Sequence, residues 1–315
     1  MQSSYPVIGV LGSTGFLGQH VLNDLSTNHK VIGGSRRIGV DGRSVDSINK
    51  WINTYNITHI INLAAECGGI GLNKEHPAQL WLATTLITSA VLEASRINNI
   101  MKLCMVGTVC CYARDCPTPF KEEYLMHYGI PESTNAAYGV AKLSGLFGCQ
   151  SYRQEYNLNA IYLLPVNLYG PGDNFNPKSS HVIPALIKKC ILARDTNTTM
   201  ECWGTGTATR EFLYVKDAAK AISLAIERYN KSDPINIGNG VESSICQLVE
   251  TIARLCKFKG KIVWNSGYPD GQPRRCLDTS KAEAEFGFKA TTSLEDGLAS
   301  TIEWYEKQLS DGTSL

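Results

Sequence analysis

Val7-Ile-Gly-Val-Leu11 runs directly into Gly12-Ser13-Thr14-Gly15-Phe16-Leu17-Gly18, and this stretch decides the fold. Its first five residues form a near-continuous apolar run, as a strand buried on both faces requires. Glycines spaced Gly-x-x-Gly-x-x-Gly then permit a tight turn, close backbone approach to a diphosphate, and close packing of the next helix on the sheet. The helix expected at Phe16–Leu25 would offer unpaired N–H groups and the positive end of its dipole to an anion. A dinucleotide site is therefore expected at Gly12, Ser13, Thr14, Gly15, Phe16, Leu17 and Gly18.

Working outward, further apolar runs at 29–32, 58–64, Lys102–Val106 and 159–164 read as strands. Helical stretches at 44–55, Pro77–Ile97 and 138–156 alternate with them. Such alternation predicts an α/β fold, a Rossmann-type doubly wound parallel sheet with right-handed crossovers. After Asn167 the texture changes to a loop containing Pro171, Gly172, Asp173, Asn174 and Pro177, then shorter elements. The expected organisation is a dinucleotide domain over 1–166, with 210–230 (strand, then helix) returning to it. A smaller C-terminal α/β lobe for the substrate would take 167–209 and 231–315.

The chain has 315 residues, 43% of them apolar, and a net charge of +1. That excludes disorder and fibrous classes, and no basic field or basic run points to nucleic acid or a membrane surface. The opening Met1-Gln-Ser-Ser-Tyr-Pro lacks a basic region before an apolar core, so no secretory signal is expected. No apolar run approaches the ~20 residues of a membrane span. The eleven cysteines are odd in number, scattered and without Cys-x-x-Cys. Neither a metal site nor a disulfide framework is expected, and the reading is a reducing, cytoplasmic compartment.

The second strand continues into Ser35-Arg36-Arg37, with no carboxylate before Asp41 to accept from a ribose 2′-hydroxyl. A guanidinium fork suits a 2′-phosphate instead, so NADPH is expected, with Arg36 preferred to Arg37 as the clamp. Tyr138-Gly-Val-Ala-Lys142 places a phenol and an ammonium one helical turn apart. The lysine is expected to lower the tyrosine pKa and hold the nicotinamide ribose, while Tyr138 protonates a carbonyl oxygen. Thr108, in Gly107-Thr-Val-Cys-Cys-Tyr112, is the hydroxyl expected to position that carbonyl.

Beyond these motifs the chain carries Gly68-Gly69-Ile70, Asn167-Leu-Tyr-Gly-Pro171, Asp173-Asn-Phe175, Ser180-His-Val-Ile-Pro184, Trp203-Gly-Thr-Gly206, Arg210-Glu-Phe-Leu213, Asn236-Ile-Gly238 and Pro269-Asp-Gly-Gln-Pro-Arg274. With the glycine turn and Tyr138–Lys142 pair, these resemble the GDP-L-fucose synthases, a group of extended short-chain dehydrogenase/reductases, over nearly the whole length. The resemblance implies C3/C5 epimerisation of GDP-4-keto-6-deoxy-D-mannose followed by NADPH reduction at C4. A 4-reductase without epimerisation is the alternative.

The resemblance also assigns residues. Cys110 matches the family's epimerisation base and His181 its acid; Cys111, on a regular strand, would face the other way. Further cofactor contacts are implied at Asp41, Leu63, Ala64, Ala65, Pro165, Asn167, Leu168 and His181. For the GDP-sugar, the implied contacts are Thr108, Asn167, Val182, Leu186, Lys189, Trp203, Arg210 and Asp270. Trp203 reads equally as core packing. Three positions depart from the pattern: Thr108 replaces serine, Lys189 a second arginine, and Thr84 a helix asparagine. A homodimer built on Pro77–Ile97 and 138–156 is implied as well.

Overall fold

Six parallel strands form the central layer of the computed structural model, which describes residues 6–68, 70–177, 179–268 and 270–312, without the side chains of Ile70 and Leu72. Gly69 and Pro269, quoted above among the motifs, lie outside the described residues. In chain order the strands are β1 (Val7–Leu11), β2 (Lys30–Gly34), β3 (His59–Asn62), β4 (Lys102–Val106), β5 (Ala160–Pro165), β6 (Asn167–Tyr169), β7 (Met200–Trp203), β8 (Thr209–Tyr214), β9 (Ile235–Ile237), β10 (Glu242–Ser244) and β11 (Ile262–Asn265). The helices are α1 (Phe16–Leu25), α2 (Val45–Tyr55), α3 (Ile70–Glu75), α4 (Pro77–Ile97), α5 (Ala136–Tyr156), α6 (Val182–Asp195), α7 (Val215–Arg228), α8 (Ile245–Leu255), α9 (Ser280–Phe286) and α10 (Leu294–Ser310).

The large sheet has the order β2-β1-β3-β4-β5-β9, and every pairing in it is parallel. All residues of β4 and β5 are buried, which explains their unbroken apolar character. Lys102 is the exception in composition; its ammonium reaches the Ala225 carbonyl at 3.1 Å. Helices α2, α4 and α5 pack in succession against one another, while α1 and α7 pack together. The strand order reverses at β1, flanked by β2 and β3, and there the carboxyl ends open a crevice.

A second core gathers Phe175, Ile187, Phe212, Leu248, Leu298 and Tyr305. Around it lie a three-stranded sheet, β10-β8-β6, and the parallel pair β11-β7. Phe175 stacks on Tyr305 with centroids 4.0 Å apart. Helix α8 begins with a capping box, Ser244 with Gln247.

Two features correct the expected division. Strand β8 pairs with β6 and β10 rather than with the large sheet, so within 210–230 only α7 returns. Conversely β9, expected in the smaller lobe, pairs with β5 as the sixth strand of the large sheet. Asn236 on β9 explains the Asn-Ile-Gly motif. It accepts from Tyr112 Oη at 2.7 Å, and its amide nitrogen donates to the carbonyls of Phe120 and Asp278. Glu211, fully buried on β8, accepts backbone N–H bonds from Asn239, Gly240 and Leu277, tying two loops to that strand.

Candidate active site

The glycine turn forms where β1 meets α1. Gly12 has φ +90°, and a Cβ there would lie 2.7 Å from the Ala64 nitrogen. Only glycine meets both conditions. Gly15 is the helix N-cap and supplies no side-chain cap, so the first N–H groups of α1, from Phe16 to Gly18, are orphaned toward the crevice. Orphaned donors at a helix start, with no Cβ in the way, fit the diphosphate of a dinucleotide. Ser13 is buried and bonds Gly34 O; Thr14 donates to Ser35 Oγ at 3.0 Å. Ala65 lines a cavity with Arg36, while Leu63 and Ala64 stand behind the turn. Asp41 is committed to Arg43 through a two-pronged ion pair, which pulls its carboxyl down to about 2.

Deeper in the crevice, Lys142 is buried and donates to the Val106 carbonyl at 2.8 Å. Its ammonium lies 5.9 Å from the centroid of the Tyr138 ring. The expected lowering of the tyrosine pKa does not occur. Desolvation by the surrounding protein, then the neighbouring thiols Cys67, Cys110 and Cys111, hold the phenol well above its usual value. The same desolvation lowers Lys142. A phenol kept protonated is suited to donate a proton.

Residues 109–111, read above as a strand end, form a 3₁₀ turn capped by Thr108, whose Oγ accepts from the Cys110 N–H at 3.3 Å. Cys110 and Cys111 are therefore separated by helical rotation and not by strand alternation. Cys110 is half-buried toward the crevice, whereas Cys111 is buried and desolvation raises it to about 12. Gly139 packs its Cα side directly on the Cys110 carbonyl oxygen, so the tyrosine helix rests on the thiol turn. Arg275 aims Nη1 at Cys110 Sγ from 3.7 Å, and its other nitrogens hold Gln272 Oε1.

His181 caps α6 without a side-chain bond and is solvent-accessible, yet the protein mass around it lowers its imidazole below the ordinary value by desolvation. Among the described residues no hydrogen bond joins it to Cys110. Asn167 donates to the Glu211 carbonyl at 3.0 Å; Pro165 ends β5, and Leu168 follows Asn167 within β6. Asp173 is buried; its Oδ1 takes the Asn174 N–H, its Oδ2 has no partner, and desolvation pushes the carboxyl up to about 7. The Thr84 hydroxyl is buried without a hydrogen-bond partner.

At the smaller lobe, Trp203 is 58% exposed and stacks on Tyr268 with centroids 4.4 Å apart, which removes the core-packing reading. The Lys189 ammonium lies 4.6 Å over the Trp203 ring. Arg210 donates to the carbonyls of Thr209 and Asp270, and burial lowers it to about 10. Both carboxylate oxygens of Asp270 are engaged by Thr205. Val182 is exposed, whereas Leu186 is buried in the second core.

The model of the NAD dependent epimerase/dehydratase family matches residues 8–238. The chain belongs to this family. Among curated relatives, it is 39% identical over 249 residues to a probable GDP-L-fucose synthase of Oryza sativa, covering 78% of this chain and 75% of that protein. Identity to the GDP-L-fucose synthase of Sinorhizobium fredii is 35% over 305 residues, covering 96% of each. Among solved structures, a GDP-L-fucose synthetase from Naegleria fowleri superposes with a TM-score of 0.87 at 26% identity, covering 97% of this chain and 94% of that one. A GDP-6-OMe-4-keto-L-xylo-heptose reductase from C. jejuni gives 0.89 at 27%, covering 98% and 99%.

Three groups of this epimerase-family site were missed in the sequence. Arg275 directly follows the quoted Pro269–Arg274 motif, so the signal lay one residue away. Glu66 and Cys67 follow Ala65 in the loop after β3, and no spacing rule marks them. Asp173 stands in the quoted Asp-Asn-Phe motif, which by itself assigns its carboxyl no role.

Proposed function

We propose that the chain is a GDP-L-fucose synthase, epimerising GDP-4-keto-6-deoxy-D-mannose at C3 and C5 and reducing C4 with NADPH. The carrying observation is the Arg275–Cys110 contact at 3.7 Å on the turn that also seats the tyrosine helix. A plain reductase needs the tyrosine and lysine alone. A half-buried thiol with a guanidinium aimed at its sulfur is a second acid–base group beside the tyrosine, and proton abstraction from carbon is the use such a group has here. The 4-keto group acidifies the C3 and C5 protons; Cys110 removes them, His181 returns a proton on the opposite face, and Thr108 and Tyr138 steady the enolate oxygen. NADPH supplies the hydride to C4, and Tyr138 protonates the oxygen.

At the far end, Arg210 supplies charge for the diphosphate, and Lys189 with Trp203 forms the wall beside it. Arg36 takes the cofactor 2′-phosphate. Exposed Trp81, Leu82 and Leu86 on α4, with Val140 and Phe147 on α5, support a homodimer through these helices. Eleven unpaired cysteines support a reducing, cytoplasmic setting. Among the described residues no helix is long and apolar enough to cross a membrane.

The test is incubation with NADPH and the 4-keto substrate in D₂O, with NMR of the product. GDP-L-fucose carrying deuterium at C3 and C5 is expected, and Cys110→Ser should abolish that incorporation. A reduced sugar without deuterium at either carbon would establish the second reading, a 4-reductase alone. That reading is favoured by the likeness to reductases such as the GDP-mannoheptose C4 reductase from Campylobacter jejuni, TM-score 0.85 at 26% identity.

A further inference from the structure

The carboxylate missing at the end of β2 arrives from the loop that follows β3. Glu66 Oε1 lies 3.1 Å from Arg36 Nη1, with the glutamate side chain 19% exposed and the arginine 57%. Gln79 on α4 donates to Glu66 Oε2 at 3.5 Å, steadying the carboxylate from the opposite side. Arg36, Ala65, Glu66, Cys67, His76 and Gln79 line a cavity of about 430 Å³. Asp41 is instead committed to Arg43 through both of its carboxylate oxygens.

The crevice therefore carries both recognition elements for an adenosine ribose. A guanidinium fork suits a 2′-phosphate, and a carboxylate suits a 2′-hydroxyl. They are not independent, because each is the other's partner. A 2′-phosphate approaching Arg36 meets a like charge already on that guanidinium. A 2′-hydroxyl meets an acceptor that Arg36 holds in place. An ion pair this exposed is weak and opens readily, so Glu66 biases the site without blocking it.

We propose that Glu66 sets the coenzyme preference of this enzyme, holding the discrimination between NADPH and NADH small so that both are used. This rests on the reading that a dinucleotide lies over the glycine turn with its adenosine ribose at Arg36.

Titration calorimetry with two cofactor fragments tests it: adenosine 2′,5′-bisphosphate, which carries the 2′-phosphate, and ADP, which carries the 2′-hydroxyl. Removing one negative charge beside the phosphate should tighten bisphosphate binding about tenfold in Glu66→Gln. ADP binding should weaken or stay the same, so the preference moves toward the phosphorylated ribose. Glu66→Ala should shift it in the same direction. In an Arg36→Gln background the gain should shrink, because the part that comes from freeing the guanidinium is lost while the direct repulsion remains. A preference that stays within twofold of wild type in both Glu66 variants overturns the assignment while leaving the cofactor site intact. Failure of the wild type to bind either nucleotide overturns the cofactor reading itself, and this one with it.

Discussion

Arg275 and Cys110 stand 165 positions apart in the chain, yet the guanidinium of one points at the sulfur of the other from 3.7 Å. The arginine is held in that pose by Gln272, whose amide nitrogen in turn donates to the Arg114 carbonyl at 2.7 Å. A cation fixed in this way acts on the thiol without being consumed. Arg275→Met should slow deuterium entry at C3 and C5 by about tenfold or more, as general-base efficiency falls. Reduction of substrate already epimerised should change far less. Equal losses in both steps would show that Arg275 only maintains the fold.

Tyr138→Phe deletes one oxygen and leaves the ring in place. Reduction should fall by roughly 10²–10⁴-fold, the usual contribution of a positioned acid. Proton exchange should slow by less, because Thr108 still steadies the enolate oxygen. Because burial holds the phenol well above its ordinary value, wild-type reduction should show no loss from tyrosine ionisation between pH 6 and about 9. A basic limb in that range, absent from the variant, would contradict the protonated assignment.

Gly139→Ala would drive a methyl group into the Cys110 carbonyl oxygen. The expected cost is about 1–3 kcal/mol of stability, visible in thermal melts, because the backbone must give way. Both chemical steps should slow together.

Asp173 predicts a pH dependence of stability. Its carboxyl is raised in the fold from 3.8 to about 7, so between those values the folded chain binds more protons than the unfolded one. Stability from this group is therefore full at low pH and declines as pH rises, by up to about 1.4 kcal/mol per pH unit, levelling off above pH 7. Asp173→Asn should flatten that part of the curve in denaturant titrations. An unchanged slope would mean the carboxyl finds a partner in solution.

The dinucleotide half was legible because buried parallel strands are unbroken apolar runs, and because glycines at a turn have few other uses. Strands β8 and β9 were misassigned for a local reason. Three residues such as Ile235–Ile237 carry no periodicity, so their sheet is decided by Asn236 and its distant partners. The 3₁₀ turn at Cys110 was read as strand because it continues an apolar run, while the Thr108 cap that ends the strand is also a common strand residue. Tyr138 was found by spacing, but its protonation follows from burial, which spacing does not report. Arg275 and Glu66 reach their partners through loops, and proximity across loops leaves no mark in a linear pattern.

The placement of β9 at the sheet edge has a consequence for synthesis. Residues emerge from the ribosome in order, so the nucleotide layer waits with one flank of β5 open until Ile237 has appeared, long after its first five strands are complete. A fragment ending near residue 230 would carry every motif of the cofactor crevice and still leave a sticky margin. The two halves of this enzyme are thus stitched into one another at the β5–β9 seam.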